Sequence, residues 1–387
     1  MLNRRTLRIK AMQALYGFKQ CENANYYLAL DQISDSFSLA EKPLDKQKAE
    51  GYKQLASLFF EENYQNHTVI QNDLPDLAFK PALDAINFYQ NMVKKDKDAF
   101  GRQMVNAVDN LYFEYLLMLN LLIELGACAK NTSIEKASKK SQFVNVAINE
   151  SVFLENKVIV ALKNFRQLEI LFIKHNANWS DQKQFVKKFY KNVVRVDETF
   201  IEYLKEENPS LESDKKVIDY IVKKLFFKHD MMVTFFDEKD INWVENDDIL
   251  KSMVLRTIKS IGDDEEIELS ELSKTWEEDK EFFIDLYKYT LEEDSKWENL
   301  VAENIKNWDI ERVSLTDRVM IKMAIAEMIH FSSIPVKVTI NEYIEIAKIY
   351  STPKSKQFIN GMLDVLSHEL INQKVIRKSG RGLIDNK

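Results

Sequence analysis

Glycine and proline, the residues that build tight turns, are scarce in this chain. Its 387 residues include only eight glycines and six prolines, so glycine makes up about 2% of the chain where about 7% is usual. A fold with many short strands needs many tight turns, and these turns depend on glycine and proline at fixed positions. The scarcity therefore excludes a sheet-rich fold and predicts an all-α protein.

Residues and motifs that support catalysis, metal binding or disulfide formation are also few. Cys21 and Cys128 do not form a C-x-x-C pair, and the five histidines lie far apart, without the spacing of a metal site. The chain contains no G-x-x-x-x-G-K, G-x-G-x-x-G, H-E-x-x-H or G-x-S-x-G string, the usual signatures of phosphate loops, dinucleotide sites, zinc helices and serine nucleophiles. We therefore predict no catalytic residues, no metal, no cofactor and no enzymatic activity.

No segment of the sequence predicts export or membrane insertion. Basic residues open the chain, but the apolar stretch of a signal peptide does not follow them. The longest apolar segment, LYFEYLLMLNLLIELGACA, begins at Leu111 and contains Glu114, Asn120 and Glu124. Because acidic side chains are costly in lipid, we predict that this segment is a buried bundle helix in a cytoplasmic protein.

Charge is distributed unevenly along the chain. The net charge is −7, yet residues 1–20 carry +5 and residues 374–387 carry +4, which leaves −16 on the rest. This pattern argues against a uniformly basic nucleic-acid-binding protein and predicts that a polyanion meets the two ends. Residues 262–311 hold 18 acidic residues against five lysines, which fits either a solvated linker or an acidic docking face.

Three consecutive helices are predicted between Asn307 and Leu370. The first begins at Ser314 or Thr316 and is apolar almost all round, which is typical of a helix at the centre of a bundle. The second is predicted to begin with a capping box formed by Thr339 and Glu342, and the third to follow a cap and proline at residues 352–353. The predicted inward residues are Ile340, Ile344, Ala347 and Ile349 on the second helix and Ile359, Met362, Leu363, Leu366 and Leu370 on the third.

The first helix of the chain has an apolar face and a basic flank. The apolar face consists of Leu7, Ala11, Ala14, Leu15 and Phe18. The flank consists of Arg5, Arg8, Met12 and Tyr16, with Arg4 near its border. This layout predicts a helix that docks on the bundle and offers guanidinium groups and one aromatic ring to solvent. The alternative is a solvated basic first turn without a partner.

Helical periodicity continues from about Asn25 to Gly262. Helices are predicted at residues 45–64, 83–93, 102–129, 141–175, 181–207, 214–227 and 247–261, with breaks at Pro43, Pro75, Pro81, Gly126, residues 176–181, Pro209 and Gly262. We interpret this region as a large helical insertion, or a second helical bundle, of unknown role.

Several of these strings resemble the transcription antitermination factor NusB family. They are NRRTLRIKAMQALY near the N-terminus, then NWDIERV, DRVMIKMAIAEM, IPVKVTINEYIEIAKIY and KQFINGMLD in the C-terminal part. The resemblance covers residues 3–20 and 281–370. It implies a NusB-like helical core made of residues 1–24 and 263–373, interrupted by the insertion at residues 25–262 and followed by a basic flexible tail at residues 374–387.

The resemblance also implies a function. Members of this family bind boxA-type single-stranded RNA together with the small-subunit ribosomal protein NusE, and act indirectly with other antitermination factors and RNA polymerase to support ribosomal RNA transcription. Carried onto this sequence, the implied RNA-binding residues are Arg4, Arg5, Arg8, Tyr16, Lys356, Gln357 and Phe358. The implied NusE-binding residues are Tyr16, Glu311 and Asp317.

Two of these assignments have structural alternatives, and the sequence departs from the family pattern in places. Asp317 fits a helix-capping role equally well, and by pattern alone Phe358 is a residue at the rim of the core. Thr6 stands where a third arginine is common, and Lys354 stands where an acid is common. A different function is also open: a helical protein-interaction scaffold without specific RNA binding.

Overall fold

The computed structural model describes residues 2–38, 45–66, 74–138, 149–262, 266–304 and 313–386. These residues form helices and connecting segments, and no strand occurs among them, which confirms the all-α prediction. The helices are α1 (Arg4–Ser38), α2 (Lys46–Asn63), α3 (Asp76–Ser138), α4 (Ser151–Leu154), α5 (Lys157–Asn164), α6 (Arg166–His175), α7 (Lys183–Asn192), α8 (Glu198–Tyr203), α9 (Leu211–Tyr220), α10 (Asp230–Asp237), α11 (Trp243–Ser260), α12 (Trp276–Glu292), α13 (Asp294–Asn304), α14 (Leu315–His330), α15 (Val336–Tyr350) and α16 (Ser355–Asn372).

The chain divides into two compact units. The core unit comprises Arg4–Val105 and Glu277–Lys387, and the middle unit comprises Asn106–Trp276 together with Met1–Asn3. Helix α3 contributes residues to both units, because the division falls within it. This division differs from the predicted insertion at residues 25–262, since it groups residues 25–105 with the C-terminal helices.

Helix α14 is the central helix of the C-terminal part of the core unit, as its composition predicts. Every side chain from Val319 to Met328 is buried, including the charged Lys322 and Glu327. Helices α1, α15 and α16 pack against it. The predicted apolar faces of α1 and α16 are buried at every predicted residue. Burial of these faces is what holds the helices together.

The second half of α1 packs with α2 and the first part of α3. The buried residues of this three-helix cluster are Ala29, Ile33, Ala56, Phe60, Ala78, Ala82, Ala85, Ile86 and Tyr89. Alanines let the helix backbones approach closely. The rings of Tyr26, Phe60 and Tyr64 fill the remaining space, with Tyr26 edge to face with Tyr64 and Phe60 stacked on Tyr64. Residues 25–105 are therefore part of a shared core rather than a separate appendage.

The long apolar segment lies in the middle unit. By length and composition, α3 is the one helix of the described chain that is apolar enough to cross a membrane. Leu116, Met118, Leu119 and Leu122 are nevertheless fully buried. The indole of Trp179 also donates to the carbonyl of Leu117 at 2.9 Å. This segment is a core helix, as predicted.

The start of α14 is predicted correctly, whereas the capping of α15 is not. The Ser314 hydroxyl accepts from the backbone N–H of Asp317 at 3.1 Å, so Ser314 caps α14. Helix α15 begins at Val336, four residues before the predicted inward Ile340. The predicted capping box is therefore wrong, because Thr339 and Glu342 lie inside the helix. Ile349 is also wrongly predicted as inward, since it is 66% exposed.

Two predicted breaks and one predicted linker are wrong. Pro81 and Gly126 lie inside the continuous helix α3, and Gly126 gives the side chain of Ile159 room to pack. Much of the acidic run between residues 262 and 311 forms α12 and α13. In these helices Asp279 and Asp294 form ion pairs rather than remaining fully solvated.

The segment predicted as a flexible tail is docked. Ile376 is buried, and the backbone N–H of Val375 donates to the carbonyl of Leu370 at 2.9 Å. The N–H of Ser379 donates to the carbonyl of Ser332 at 3.0 Å. The predicted flexibility is therefore wrong for the described residues 374–386, which pack beside the connection between α14 and α15.

Candidate nucleic-acid interface

Arg8 and Glu327 form a buried ion pair between α1 and α14. Two nitrogens of the guanidinium donate to the two carboxylate oxygens at 2.7 and 2.6 Å. Both side chains are almost fully buried, at 3% and 0% exposure. Thr339 and Tyr343 of α15 also donate to the Glu327 carboxylate, at 2.8 and 3.3 Å. One carboxylate therefore joins three helices.

The predicted exposure of Arg8 is wrong. Glu327 interrupts the apolar α14, and a carboxylate in such surroundings needs a cation and further donors. Arg8 supplies them. Burial opposes the charged guanidinium, but the Glu327 carboxylate outweighs it and raises the pKa of Arg8. Burial beside the same carboxylate raises the pKa of Tyr343. Arg8 thus holds the helices together and lies below the surface.

Arg4 and Arg5 precede Arg8 on α1, and both are partly exposed to solvent. Arg5 donates to both carboxylate oxygens of Glu342 at 2.8 and 2.9 Å and remains 41% exposed. Arg4 donates to Asp279 at 2.8 Å, is 37% exposed and covers the ring of Phe282 at 4.9 Å. The bond to Glu342 raises the pKa of Arg5. Since a guanidinium carries five N–H donors, both residues keep donors for a ligand.

Tyr16 presents its ring further along the same side of α1. The side chain is 38% exposed, and its hydroxyl accepts from the Gln20 side chain at 3.0 Å. Eleven residues separate Arg5 from Tyr16. At 100° and 1.5 Å per residue, this offset puts both on one helix side, about 16 Å apart. The structure therefore exposes one charge and one ring along a single line, as predicted.

The first turn of α16 lies near Arg5. Lys356 and Gln357 are exposed and Phe358 is half-buried. Glu345 of α15 connects the two regions: its bond from Lys348, and then the nearby charges of Arg5 and Lys356, lower its pKa. Arg5 and Lys356 thus act on the same carboxylate although 351 positions separate them. Together with Arg4, these residues form what we call the rim: Arg4, Arg5, Tyr16, Lys356, Gln357 and Phe358.

Asp317 does not occupy an open partner surface. It is 5% exposed, and its two carboxylate oxygens accept from the hydroxyls of Ser351 and Ser355 at 2.6 and 2.8 Å. The helix cap is Ser314, so the capping alternative is also wrong. Asp317 fixes the connection between α15 and α16. The other predicted partner residue, Glu311, lies outside the described residues.

A second charged cluster lies between α1 and the helices α13 and α14. Asp294 accepts from Lys19 at 2.6 Å and from Lys322 at 2.8 Å. Glu298 pairs with Arg318 at 3.2 Å and with Lys322. Burial disfavours the carboxylate of Asp294, but the two lysines outweigh it and lower its pKa. Lys322, which interrupts an apolar helix, is therefore matched by carboxylates in the same way as Glu327 is matched by Arg8.

Sequence reasoning missed the acidic partners of the basic helix. Asp279, Glu327 and Glu342 each bind one of its arginines, and none was assigned this role. For Glu327 a signal was present, because one acid in an otherwise apolar helix requires a buried partner. For Asp279 and Glu342 no local signal exists, since each lies more than 270 positions from its arginine.

These features define an all-α protein with a rim of arginines and aromatic rings on its first and last long helices. The profile of the NusB family matches residues 248–368. The chain is 40% identical over 106 residues to the transcription antitermination protein NusB of Chloroherpeton thalassium and 38% identical over 105 residues to that of Salinibacter ruber. It is 32% identical over 97 residues to that of Bacillus pumilus.

These alignments cover parts of both partners. They span 27%, 27% and 25% of this chain and 50%, 66% and 74% of the three relatives. The chain thus spans half the length of the Chloroherpeton relative and most of the Bacillus one. No solved structure matches. The extent of the Bacillus match, together with the family profile, shows that this chain belongs to the NusB family.

Proposed function

We propose that this chain is a non-enzymatic transcription antitermination factor of the cytoplasm that binds boxA-type single-stranded RNA together with NusE. The names of its relatives support the antitermination role. The rim supports the RNA role, because single-stranded RNA is held by cations at its phosphates and by aromatic side chains stacked on its bases.

One observation carries the proposal: the guanidinium of Arg5 and the ring of Tyr16 remain exposed on one side of α1, at 41% and 38%. The proposed RNA strand runs along α1 past Arg4, Arg5 and Tyr16 and reaches the first turn of α16. There Lys356 and Gln357 meet phosphate or base edges, and Phe358 stacks on a base. Arg8 contributes by holding α1 in place rather than by touching RNA.

The proposed NusE contact also lies beside the rim. Tyr16 is exposed enough to contact a partner and the RNA. Asp317 acts indirectly. Its carboxylate binds the hydroxyls of Ser351 and Ser355 and thereby orients the start of α16. Asp317→Asn should weaken the NusE complex if this orientation matters, as calorimetry would measure. Glu311→Ala tests the remaining predicted contact directly.

The decisive experiment compares a boxA RNA with a scrambled RNA of equal length, with and without NusE, by fluorescence anisotropy. We expect tighter binding of the boxA RNA and a further gain when NusE is present. Equal, weak and strongly salt-dependent binding of both RNAs would contradict the proposal, because such binding reflects charge alone.

A scaffold function remains a second candidate for the middle unit. Its surface exposes large apolar side chains, among them Ile173 at 76%, Ile241 at 94% and Val244 at 72%. Exposed apolar residues are common singly, so this observation alone is modest. If both RNAs bind alike while the middle unit captures a transcription partner, the scaffold function gains.

A further inference from the structure

The three arginines at the start of α1 are not free. Arg4, Arg5 and Arg8 are each paired with a carboxylate of the core unit. An RNA phosphate that binds Arg4 or Arg5 must compete with that carboxylate and also approach its negative charge. The rim as described therefore supplies less net attraction for a polyanion than its arginines suggest.

The docked C-terminal segment differs in this respect. Arg377 and Arg381 are exposed, and neither has an ion-pair partner among the described residues. Among the described residues, the one hydrogen bond of these two guanidiniums is from Arg377 to the backbone carbonyl of Lys374 at 3.1 Å. The two guanidiniums keep most of their N–H donors for a ligand, and no described carboxylate has to be displaced.

The segment is held in a defined position. Lys374 takes a left-handed backbone (φ 58°) as the chain leaves α16, and Gly380 does so again (φ 55°). Lys378 donates to the carbonyl of Phe331 at 3.0 Å. Gly382 lies so close to the α14–α15 connection that an added Cβ would sit 2.0 Å from the carbonyl oxygen of Ser332. The guanidiniums are therefore presented from a fixed backbone.

A short series of contacts connects this segment to the rim. Lys378 binds Phe331, the ring of Phe331 lies 5.0 Å from that of Phe282, and the Arg4 guanidinium covers Phe282 at 4.9 Å. All of these residues belong to the core unit. The basic segment and the start of α1 are thus connected through two aromatic rings of the core unit.

We propose that Arg377 and Arg381 of the docked C-terminal segment bind backbone phosphates of the same single-stranded RNA and extend the rim beyond Arg4. This inference rests on the proposed RNA-binding function and adds a second phosphate-binding site to it. The segment is a preformed part of the interface, and its unpaired arginines supply the charge that the paired arginines of α1 do not.

The test is a salt titration of RNA binding by the full chain. Binding is measured as the fluorescence anisotropy of a labelled single-stranded boxA RNA. Arg377→Gln with Arg381→Gln should weaken binding about fivefold per lost contact at 0.1 M salt and flatten the log–log salt slope by about 0.7 per contact. The matched control is Lys46→Gln with Lys48→Gln, two exposed lysines of α2, which removes the same charge.

An unchanged slope in the Arg377/Arg381 variant, or an equal change in the α2 control, would overturn the inference while leaving the proposed function in place. Absence of RNA binding by the unaltered chain would overturn both. Circular dichroism of each variant establishes that the helices are intact, which is expected because the four substituted side chains are exposed.

A second variant tests the positioning without changing charge. Gly382→Ala forces the end of the segment away from Ser332, so the arginines must be ordered when RNA binds. We expect a severalfold loss of affinity with an unchanged salt slope. Gly51→Ala is the control, because an added Cβ there meets nothing within 4 Å. Unchanged affinity in Gly382→Ala would show that the docked position does not matter.

Discussion

The arginines of α1 fall into two groups that lie within two helical turns of each other. Arg8 is 3% exposed and shares Glu327 with two hydroxyl donors, whereas Arg5 is 41% exposed and its partner Glu342 is 22% exposed, with Arg8 a more distant second cation at 3.7 Å. Both pairs have similar bidentate distances. The difference in burial therefore separates a residue that holds the fold from one that is available to a ligand.

The largest predicted effect follows from removing one partner of the buried pair. Arg8→Ala leaves Glu327 charged and buried without a cation, which should cost about 3 to 5 kcal/mol of unfolding free energy. Arg5→Ala, its control, should cost at most about 1 kcal/mol. Urea denaturation measures both. Similar losses in the two variants would remove the distinction between the groups.

Replacing the whole buried pair sharpens the same comparison. Arg8→Met combined with Glu327→Leu removes both charges together, so no unpaired charge remains. We expect most of the stability lost in Arg8→Ala to return, less about 1 kcal/mol for each hydroxyl, on Thr339 and Tyr343, that loses its acceptor. A double variant as unstable as Arg8→Ala would show that packing, not charge, dominates this site.

The aromatic residues of the rim should affect RNA binding without affecting its salt dependence. Tyr16→Ala or Phe358→Ala should cost about 1 to 3 kcal/mol of binding free energy for each stacked base that is lost. The log–log salt slope should stay constant, because no phosphate contact is removed. Anisotropy titrations at several salt concentrations measure both quantities, and Tyr27→Ala, another exposed tyrosine of α1, is the control. A changed slope would contradict the stacking role.

Asp294 is 23% exposed, a value between those of the buried Arg8 and the exposed Arg5. Its pKa is lowered in the fold, so its contribution to stability is present above about pH 4 and is lost as the pH falls through the lower folded value. Lys19 has a raised pKa, so its contribution is present at neutral pH and is lost in strong alkali. Asp294→Asn should cost about 1 to 3 kcal/mol at pH 7 and progressively less in acid.

Urea midpoints between pH 2 and pH 7 test this expectation. Glu62→Gln, at an exposed carboxylate of α2, serves as the control. The Asp294 variant and the unaltered chain should converge in acid. A constant difference across this range would show that the charge of Asp294 contributes nothing.

The smallest predicted effect is a gain. Glu342→Gln releases Arg5 from its pair and removes a negative charge from the rim. RNA affinity should therefore rise by a fewfold, equivalent to about 1 kcal/mol or less, and stability should fall by a similar amount. Glu369→Gln is the control, because this carboxylate of α16 accepts from the side chain of Gln373 rather than from an arginine of α1. Weaker RNA binding by Glu342→Gln would indicate that the pair orients Arg5 for its ligand.

The sequence identified which faces of the helices are buried, but not which distant residues pair with each other. Apolar spacing identified the buried sides of α1, α14 and α16, because packing requires one continuous stripe on each helix. It did not identify the carboxylate that meets each arginine, since Arg8 and Glu327 lie 319 positions apart. The sequence therefore predicted that Arg8 is exposed, whereas it is buried.

Short sequence patterns also gave wrong predictions where residues from distant parts of the chain determine the local structure. Thr339 and Glu342 have the spacing of a capping box, yet the first bonds Glu327 and the second bonds Arg5. The C-terminal segment carries the composition of a solvated tail, yet Ile376 and Gly382 dock it on the bundle. In each case the partner comes from a distant part of the chain, and no window of sequence contains both.

The Arg8–Glu327 pair also constrains the order of events during synthesis. Ribosomes add about 5 to 20 residues per second, so the 319 positions between the two residues correspond to about 15 to 60 s. Throughout that time Arg8 has no native partner, and the apolar stripe of α1 has no α14 to cover it. The middle unit, which ends at Trp276, leaves the ribosome first. Helix α1 is thus locked in place late, and the nascent chain is exposed to chaperones and proteases for that interval.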